Sequence, residues 1–90
     1  GKRARYVEEK DAMDYVAGYA ICNDVSERRF QMKRNGQWMK GKCAETFGPL
    51  CPWLVTADAI DPSNLAMELK INGESRQQGS TSTMIFSVRY

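Results

Sequence analysis

Asp24, Arg28, Gln31 and Lys42 are the residues of this chain whose types and spacing could do chemistry. Asp24 closes a nearly continuous apolar run, Tyr15 to Val25, in the pair Asn23-Asp24. A carboxylate emerging from an apolar strand has to be paired, hydrogen-bonded or bound to a cation, because an unpaired buried charge is strongly unfavourable. Two arrangements compete. In one, Asp24 forms a salt bridge to Arg28 or caps the helix that follows. In the other, it is an oxygen ligand to a hard cation such as Mg2+, and Arg28 and Gln31, one turn apart on one helix face, are aimed at an anionic substrate. Lys42 lies between Gly41 and Cys43. It is either a solvated surface charge or, beside a metal, an ammonium that stabilises a developing enolate or alkoxide.

Composition narrows the remaining chemistry. The 90 residues include 13 Lys plus Arg, 11 Asp plus Glu, three cysteines and no histidine. Without imidazole the chain holds no Ser-His-Asp or Cys-His nucleophile, no His-ligated zinc and no histidine acid or base. A net charge of +2 is too mild to imply a nucleic-acid partner by itself. The charge is unevenly spread, however: Arg28, Arg29, Lys33, Arg34, Lys40 and Lys42 follow one another with no acidic residue between them. With Phe30 and Trp38 this stretch supports a second reading, a small anion-binding module able to take single-stranded nucleic acid.

Cys22, Cys43 and Cys51 make an odd count without CxxC spacing, which argues against a disulfide framework and a zinc knuckle. Reduced thiols and a cytoplasmic location are expected. No apolar run approaches the ~20 residues that span a bilayer, and no apolar segment follows the basic start, so neither a membrane partner nor export is expected.

The elements that must position these residues belong to one domain at most, since a folded chain of this length hides only roughly 60–65% of its unfolded surface. Asp11 to Asp14 reads as a short helical turn, and Tyr15 to Val25 as a strand buried on both faces. Ser26 is the expected N-cap of a short, mostly exposed helix over Glu27 to Arg34, ended by Asn35-Gly36. Gln37 to Pro52 reads as a long irregular loop, and Trp53 to Thr56 as a short strand. Trp38 and Trp53 read as core or lid aromatics.

Asp61 to Asn64 forms a turn into Leu65 to Ile71, where apolar and polar residues alternate. Asn72-Gly73 is the favoured type I′ hairpin pair, and Glu74 to Gln78 returns as a polar strand. Thr81 to Tyr90 opens a helix or forms a strand. The fold class is therefore mainly β with short helices, α+β. The apolar end Met84 to Val88 and the unflanked strand Tyr15 to Val25 favour self-association, so a homodimer is expected.

The blocks Tyr15 to Gln31, Gln37-Trp38, Gly41-Lys42, Thr46 to Pro49, Pro52 to Thr56, Asn72 to Glu74 and Thr81 to Val88 resemble, in order and spacing, the catalytic domain of the fumarylacetoacetate hydrolase family. The similarity covers essentially the whole chain. The variant Ser26 to Gln31 and the Lys40-Gly41-Lys42 segment are most similar to ureidoglycolate lyase and diketo-deoxy sugar acid hydrolase members. The resemblance implies part of a mixed β-sheet roll and a Mg2+- or Mn2+-dependent enzyme acting on small-molecule 2-oxo acids by hydrolysis, decarboxylation, lyase or isomerase chemistry through an enolate. It also implies that Asp24 is the third carboxylate ligand of the metal, that Arg28 and Gln31 orient the substrate, and that Lys42 is the active-site lysine. This favours the metal arrangement over the ion pair at Asp24.

Departures from the family pattern are equally informative. Family members carry two further metal carboxylates in a Glu-x-Glu pair just before the segment that Gly1-Lys2 resembles, a His-Glu acid/base pair further upstream, and a Gly-Thr-Pro loop beyond the position of Tyr90. These 90 residues contain none of them. The expectation is a partial domain over residues 1–90, truncated at both ends, with an incomplete metal site and no activity alone. Arg29 stands where an acidic residue is usual, Cys43 where Ser or Gly is, and Cys51 where Gly is. A glycine in such a loop often holds positive φ, which a cysteine adopts only at a cost.

Overall fold

The structure, a computed structural model, describes residues 1–90 apart from Cys51, so the expectation for Cys51 lies outside the described residues. Short helices alternate with two two-stranded sheets, one pairing β1 (Gly18–Cys22) with β2 (Leu50–Thr56) and the other β3 (Ala66–Ile71) with β4 (Glu74–Ser80). This is the α+β class expected. The chain divides into two units, Ala20–Leu54, and Gly1–Tyr19 with Val55–Tyr90.

In the second of these the hairpin is built by its turn. Asn72 and Gly73 have φ of 52° and 84°, the left-handed pair that a type I′ turn demands. The strands run antiparallel with Ala66 opposite Ser80, Leu69 opposite Gln77 and Ile71 opposite Glu74. The register slips between Leu69 and Lys70, which leaves Arg76 as the additional residue of a bulge. Beyond the hairpin, the Thr81 N–H donates to the Leu65 carbonyl at 3.0 Å, and the Leu65 N–H donates to Thr81 Oγ1 at 2.7 Å. This reciprocal pair closes the open end.

Two 3-10 helices flank that closure. Asp61 caps Pro62–Asn64, its carboxylate accepting from the Ser63 N–H at 2.9 Å, and Ser80 caps Thr81–Thr83 by accepting from the Ser82 N–H. Neither the helix nor the strand expected over Thr81 to Tyr90 forms, since only this single turn is regular. The Thr83 hydroxyl donates to the Ser80 carbonyl at 2.8 Å, a local bond that competes with continued backbone pairing. Phe86 instead stacks on Tyr90, with centroids 4.3 Å apart.

The helical turn read at Asp11 to Asp14 is a 3-10 helix over Glu9–Tyr15. Strand β1 is shorter than the Tyr15 to Val25 run, and it is not buried on both faces: Gly18 and Tyr19 are half-buried while Ala20, Ile21 and Cys22 are exposed. Its sheet has two strands, and a continuous apolar run alone does not specify how many neighbours will cover it. The Ala57 N–H donates to the Ala17 carbonyl at 3.1 Å beside the start of β1. Gly18 approaches β2 so closely that a Cβ there would overlap the Val55 carbonyl oxygen and stand 3.0 Å from Thr56 Cα.

In Ala20–Leu54, the loop expected over Gln37 to Pro52 contains a 3-10 helix, Trp38–Gly41, and β2 begins at Leu50 instead of Trp53. The Asn23 N–H donates to the Pro49 carbonyl at 3.1 Å. Trp38 and Trp53 are 59% and 71% exposed, so neither is a core residue. Among the described residues no apolar side chain is buried, and the one fully buried side chain is that of Gln31. No helix among them is long and apolar enough to cross a membrane.

Candidate functional site

Helix α1 (Arg28–Lys33) starts where Glu27 leaves the extended region, at φ −84° and ψ 96°. The Glu27 carboxylate accepts from the Arg29 N–H at 3.3 Å and the Phe30 N–H at 2.6 Å, satisfying two donors that a helix start leaves without intrahelical partners. A cap of this kind is worth about 1 kcal/mol. Ser26, the expected cap, donates its hydroxyl to the Asp24 carbonyl instead. The helix ends at Arg34, after which Asn35 and Gly36 take φ of 59° and 66°.

One face of α1 lies on the Trp38–Gly41 turn. Gly41 is buried, its carbonyl accepts the Glu27 N–H at 2.9 Å, and Gln31 is only 1% exposed. With Gln31 inward, a period of 3.6 residues puts Arg29 and Lys33 at the opposite pole, facing solvent. The Arg34 guanidinium lies 4.5 Å over the Phe30 ring on one flank. Of the six basic residues, Arg29 and Lys33 thus face outward, Arg34 covers Phe30, Lys40 is exposed, and Arg28 and Lys42 form the part that belongs to the candidate site.

That part consists of two hydrogen-bonded pairs. Arg28 Nη1 donates to Gln31 Oε1 at 2.5 Å, across the i to i+3 spacing read from the sequence. Lys42 Nζ forms an ion pair with Asp24 Oδ2. The four sequence-derived candidates therefore fall together in one unit, joined through Gly41, which touches Gln31 and directly precedes Lys42.

Two expectations need correction. Asp24 neither bridges to Arg28 nor caps α1, because Lys42 is its partner and Glu27 takes the cap. Nor is it a buried carboxylate: its side chain is 77% exposed against 23% for Lys42. An ion pair so open to water contributes about 0–1 kcal/mol, so it orients the Lys42 ammonium more than it stabilises the fold.

Sequence reasoning missed Glu27 and Gly41, which hold the site residues in place. The available signals were a carboxylate three residues before Phe30 and a glycine between two lysines, both common enough to pass unnoticed.

The donor set tests the implied Mg2+ or Mn2+. Asp24 contributes a hard carboxylate oxygen, but one already shared with an ammonium, and no group of three metal-ligating side chains occurs among the described residues. Mg2+ demands near-octahedral oxygen coordination. These residues can hold one edge of such a site and do not by themselves complete it. Cys22 and Cys43 are exposed free thiols.

The profile of the family described as Fumarylacetoacetate (FAA) hydrolase C-terminal matches residues 1–90. A protein of Burkholderia cenocepacia strain HI2424 named as a hydrolase is 53% identical over 89 residues, covering 98% of this chain and 32% of that protein. The chain thus spans about a third of the length of the curated relatives it matches. Among solved structures, fumarylacetoacetate hydrolase from the psychrophile Exiguobacterium antarcticum is 41% identical with a TM-score of 0.88, over 96% of this chain and 31% of that one. The 2-hydroxyhepta-2,4-diene-1,7-dioate isomerase of Mycobacterium marinum is 42% identical with a TM-score of 0.82, over 92% of this chain and 32% of that one.

Proposed function

Because this chain belongs to the fumarylacetoacetate hydrolase family, we propose that it forms the substrate-orienting part of a divalent-metal-dependent enzyme that cleaves or rearranges 2-oxo acids. The observation that carries the proposal is the clustering of Asp24, Lys42, Arg28 and Gln31 in one unit, with the guanidinium and amide already hydrogen-bonded to each other. Relatives bearing hydrolase and isomerase names support a catalytic role of this kind.

In this reading Arg28 binds the substrate carboxylate, the group whose planar geometry a guanidinium matches. Gln31, buried and held by its hydrogen bond to Arg28, keeps that fork from rotating and so orients the substrate through Arg28. Lys42 supplies a positive charge where an enolate develops. Asp24 is one metal ligand, and the remaining carboxylates come from outside these 90 residues. A bound Mg2+ or Mn2+ would polarise the 2-oxo carboxylate. Within the family, the Ser26 to Gln31 variant favours the ureidoglycolate lyase and diketo-deoxy sugar acid hydrolase branch.

The test is turnover of oxaloacetate or an acylpyruvate, with Mg2+, by a full-length family member carrying this segment. Asp24→Ala should abolish activity. Lys42→Met should lower kcat on the order of 10²–10³-fold, the usual loss on removing one electrostatic stabiliser of a developing anion. Full activity of Asp24→Ala, or activity unchanged by a chelator, would refute the proposal. Turnover by these 90 residues alone would show that the outside carboxylates are unnecessary.

A further inference from the structure

We propose that Gly41 is a positioning residue: by having no side chain and by accepting the Glu27 N–H, it seats α1, and with it Gln31 and Arg28, against the turn that leads into Lys42. The role assigned to that cluster rests on the function proposed above. The seating itself rests on geometry alone.

A Cβ on Gly41 would stand 2.7 Å from Gln31 Cβ, 2.7 Å from the Glu27 carbonyl oxygen and 2.9 Å from the Gln31 amide nitrogen. All three distances lie inside ordinary van der Waals contact, and two of the atoms are backbone, so no side-chain rotation relieves the overlap. Gly41 is not among the residues with positive φ, so here glycine is required for space and not for its backbone freedom. Gly36 is the converse, with φ of 66° and nothing within 4 Å of the place a Cβ would occupy.

The hydrogen bond from the Glu27 N–H to the Gly41 carbonyl, 2.9 Å, ties the same glycine to the capping residue of α1. Glu27 fixes where the helix starts, and its carboxylate cap fixes the first turn. Gln31 stands one turn further on, its own N–H bonded to the Glu27 carbonyl at 3.1 Å, and its side chain is the one fully buried among the described residues. Gly41 therefore contacts the helix at its capping residue and at Gln31. Lys42 follows it directly in the chain, so any displacement of α1 from Gly41 is also a displacement of Gln31 and Arg28 from Lys42.

The experiment uses a full-length family member carrying this segment, with glutamine side chains labelled for NMR and oxalate as the probe for a 2-oxo carboxylate. Gly41→Ala should shift the Gln31 side-chain amide resonance and speed its exchange with water, and should weaken oxalate binding on the order of 10–100-fold, the equivalent of one lost hydrogen bond to a charged group. Gly79→Ala, where a Cβ meets nothing within 4 Å, should change neither. Because Gly41 is held to act by seating α1, which carries both Gln31 and Arg28, adding Gly41→Ala to the Arg28→Ala, Gln31→Ala background should weaken oxalate binding no further. Additive losses, or an unmoved Gln31 amide, would overturn the inference. A backbone ester at Glu27, which replaces the N–H bonded to Gly41 by oxygen and keeps the carboxylate cap, should displace the same resonance and decides the matter if Gly41→Ala does not fold. A wild type that binds no oxalate refutes the function proposed for the site, while the Gln31 resonance still decides for or against the seating.

Discussion

Replacing Gly18 by alanine tests the pairing of β1 with β2 at its tightest point. The added Cβ would overlap the Val55 carbonyl oxygen and lie 2.9 Å from the Val55 carbonyl carbon and 3.0 Å from Thr56 Cα. All three are backbone atoms of a paired strand, so relief requires the strands to move apart. Overpacking of this kind costs about 1–3 kcal/mol. Alanine restricts the unfolded chain more than glycine does, which offsets about 0.5–1 kcal/mol in a strand. The net loss is about 1–2 kcal/mol, and at roughly 4–8 °C per kcal/mol for a domain of this size the midpoint should fall by about 5–15 °C. Thermal unfolding followed by circular dichroism measures it, and urea unfolding should show a lower midpoint with an unchanged slope. Gly79→Ala, in β4, is the matched control because its Cβ would meet nothing within 4 Å. If Gly18→Ala unfolds no earlier than Gly79→Ala, the close approach is not a determinant of stability and the reasoning fails.

Other outcomes follow from the turn and cap geometry. Gly73→Ala introduces no contact but puts a Cβ on a residue with φ of 84°, so it should destabilise by about 1–2 kcal/mol; a urea midpoint equal to that of Gly79→Ala would contradict the left-handed turn. The Asp61 carboxyl is held below its ordinary range chiefly by the Ser63 backbone N–H and then by the Ser63 hydroxyl. A folded value below the unfolded one means that the stabilisation is complete above the ordinary carboxylate value of about 3.9 and is lost as pH falls through the folded value. The stability difference between wild type and Asp61→Asn should therefore be constant near neutral pH and shrink in acid, and a difference that grows on acidification would reverse the assignment.

The hairpin was readable because its information is local: Asn72-Gly73 admits few turns, and the alternation from Leu65 to Ile71 has a period only a strand uses. Arg28 and Gln31 were readable for a similar reason, since i to i+3 spacing becomes adjacency in any helix. Strand β1 was overextended because an apolar run states that residues avoid water without stating how many partners will cover them. The cap went to Glu27 instead of Ser26 because the choice depends on which side chain reaches the Arg29 and Phe30 amides, a matter of backbone path and not of residue type. The partner of Asp24 could not be read at all: Lys42 arrives by way of the Trp38–Gly41 turn, and a turn of that length carries almost no periodic signal.

The hydrogen bonds that join the candidate residues to one another and seat α1 on Gly41 lie within the single stretch from Asp24 to Lys42. Closing so short a loop carries a small entropic cost, and contacts of low sequence separation form early. The segment therefore behaves as a cassette. Exchanged between relatives as one piece from Asn23 to Cys43, it should carry its geometry with it, whereas exchanging Arg28, Gln31 or Lys42 singly should separate residues that take their positions from one another.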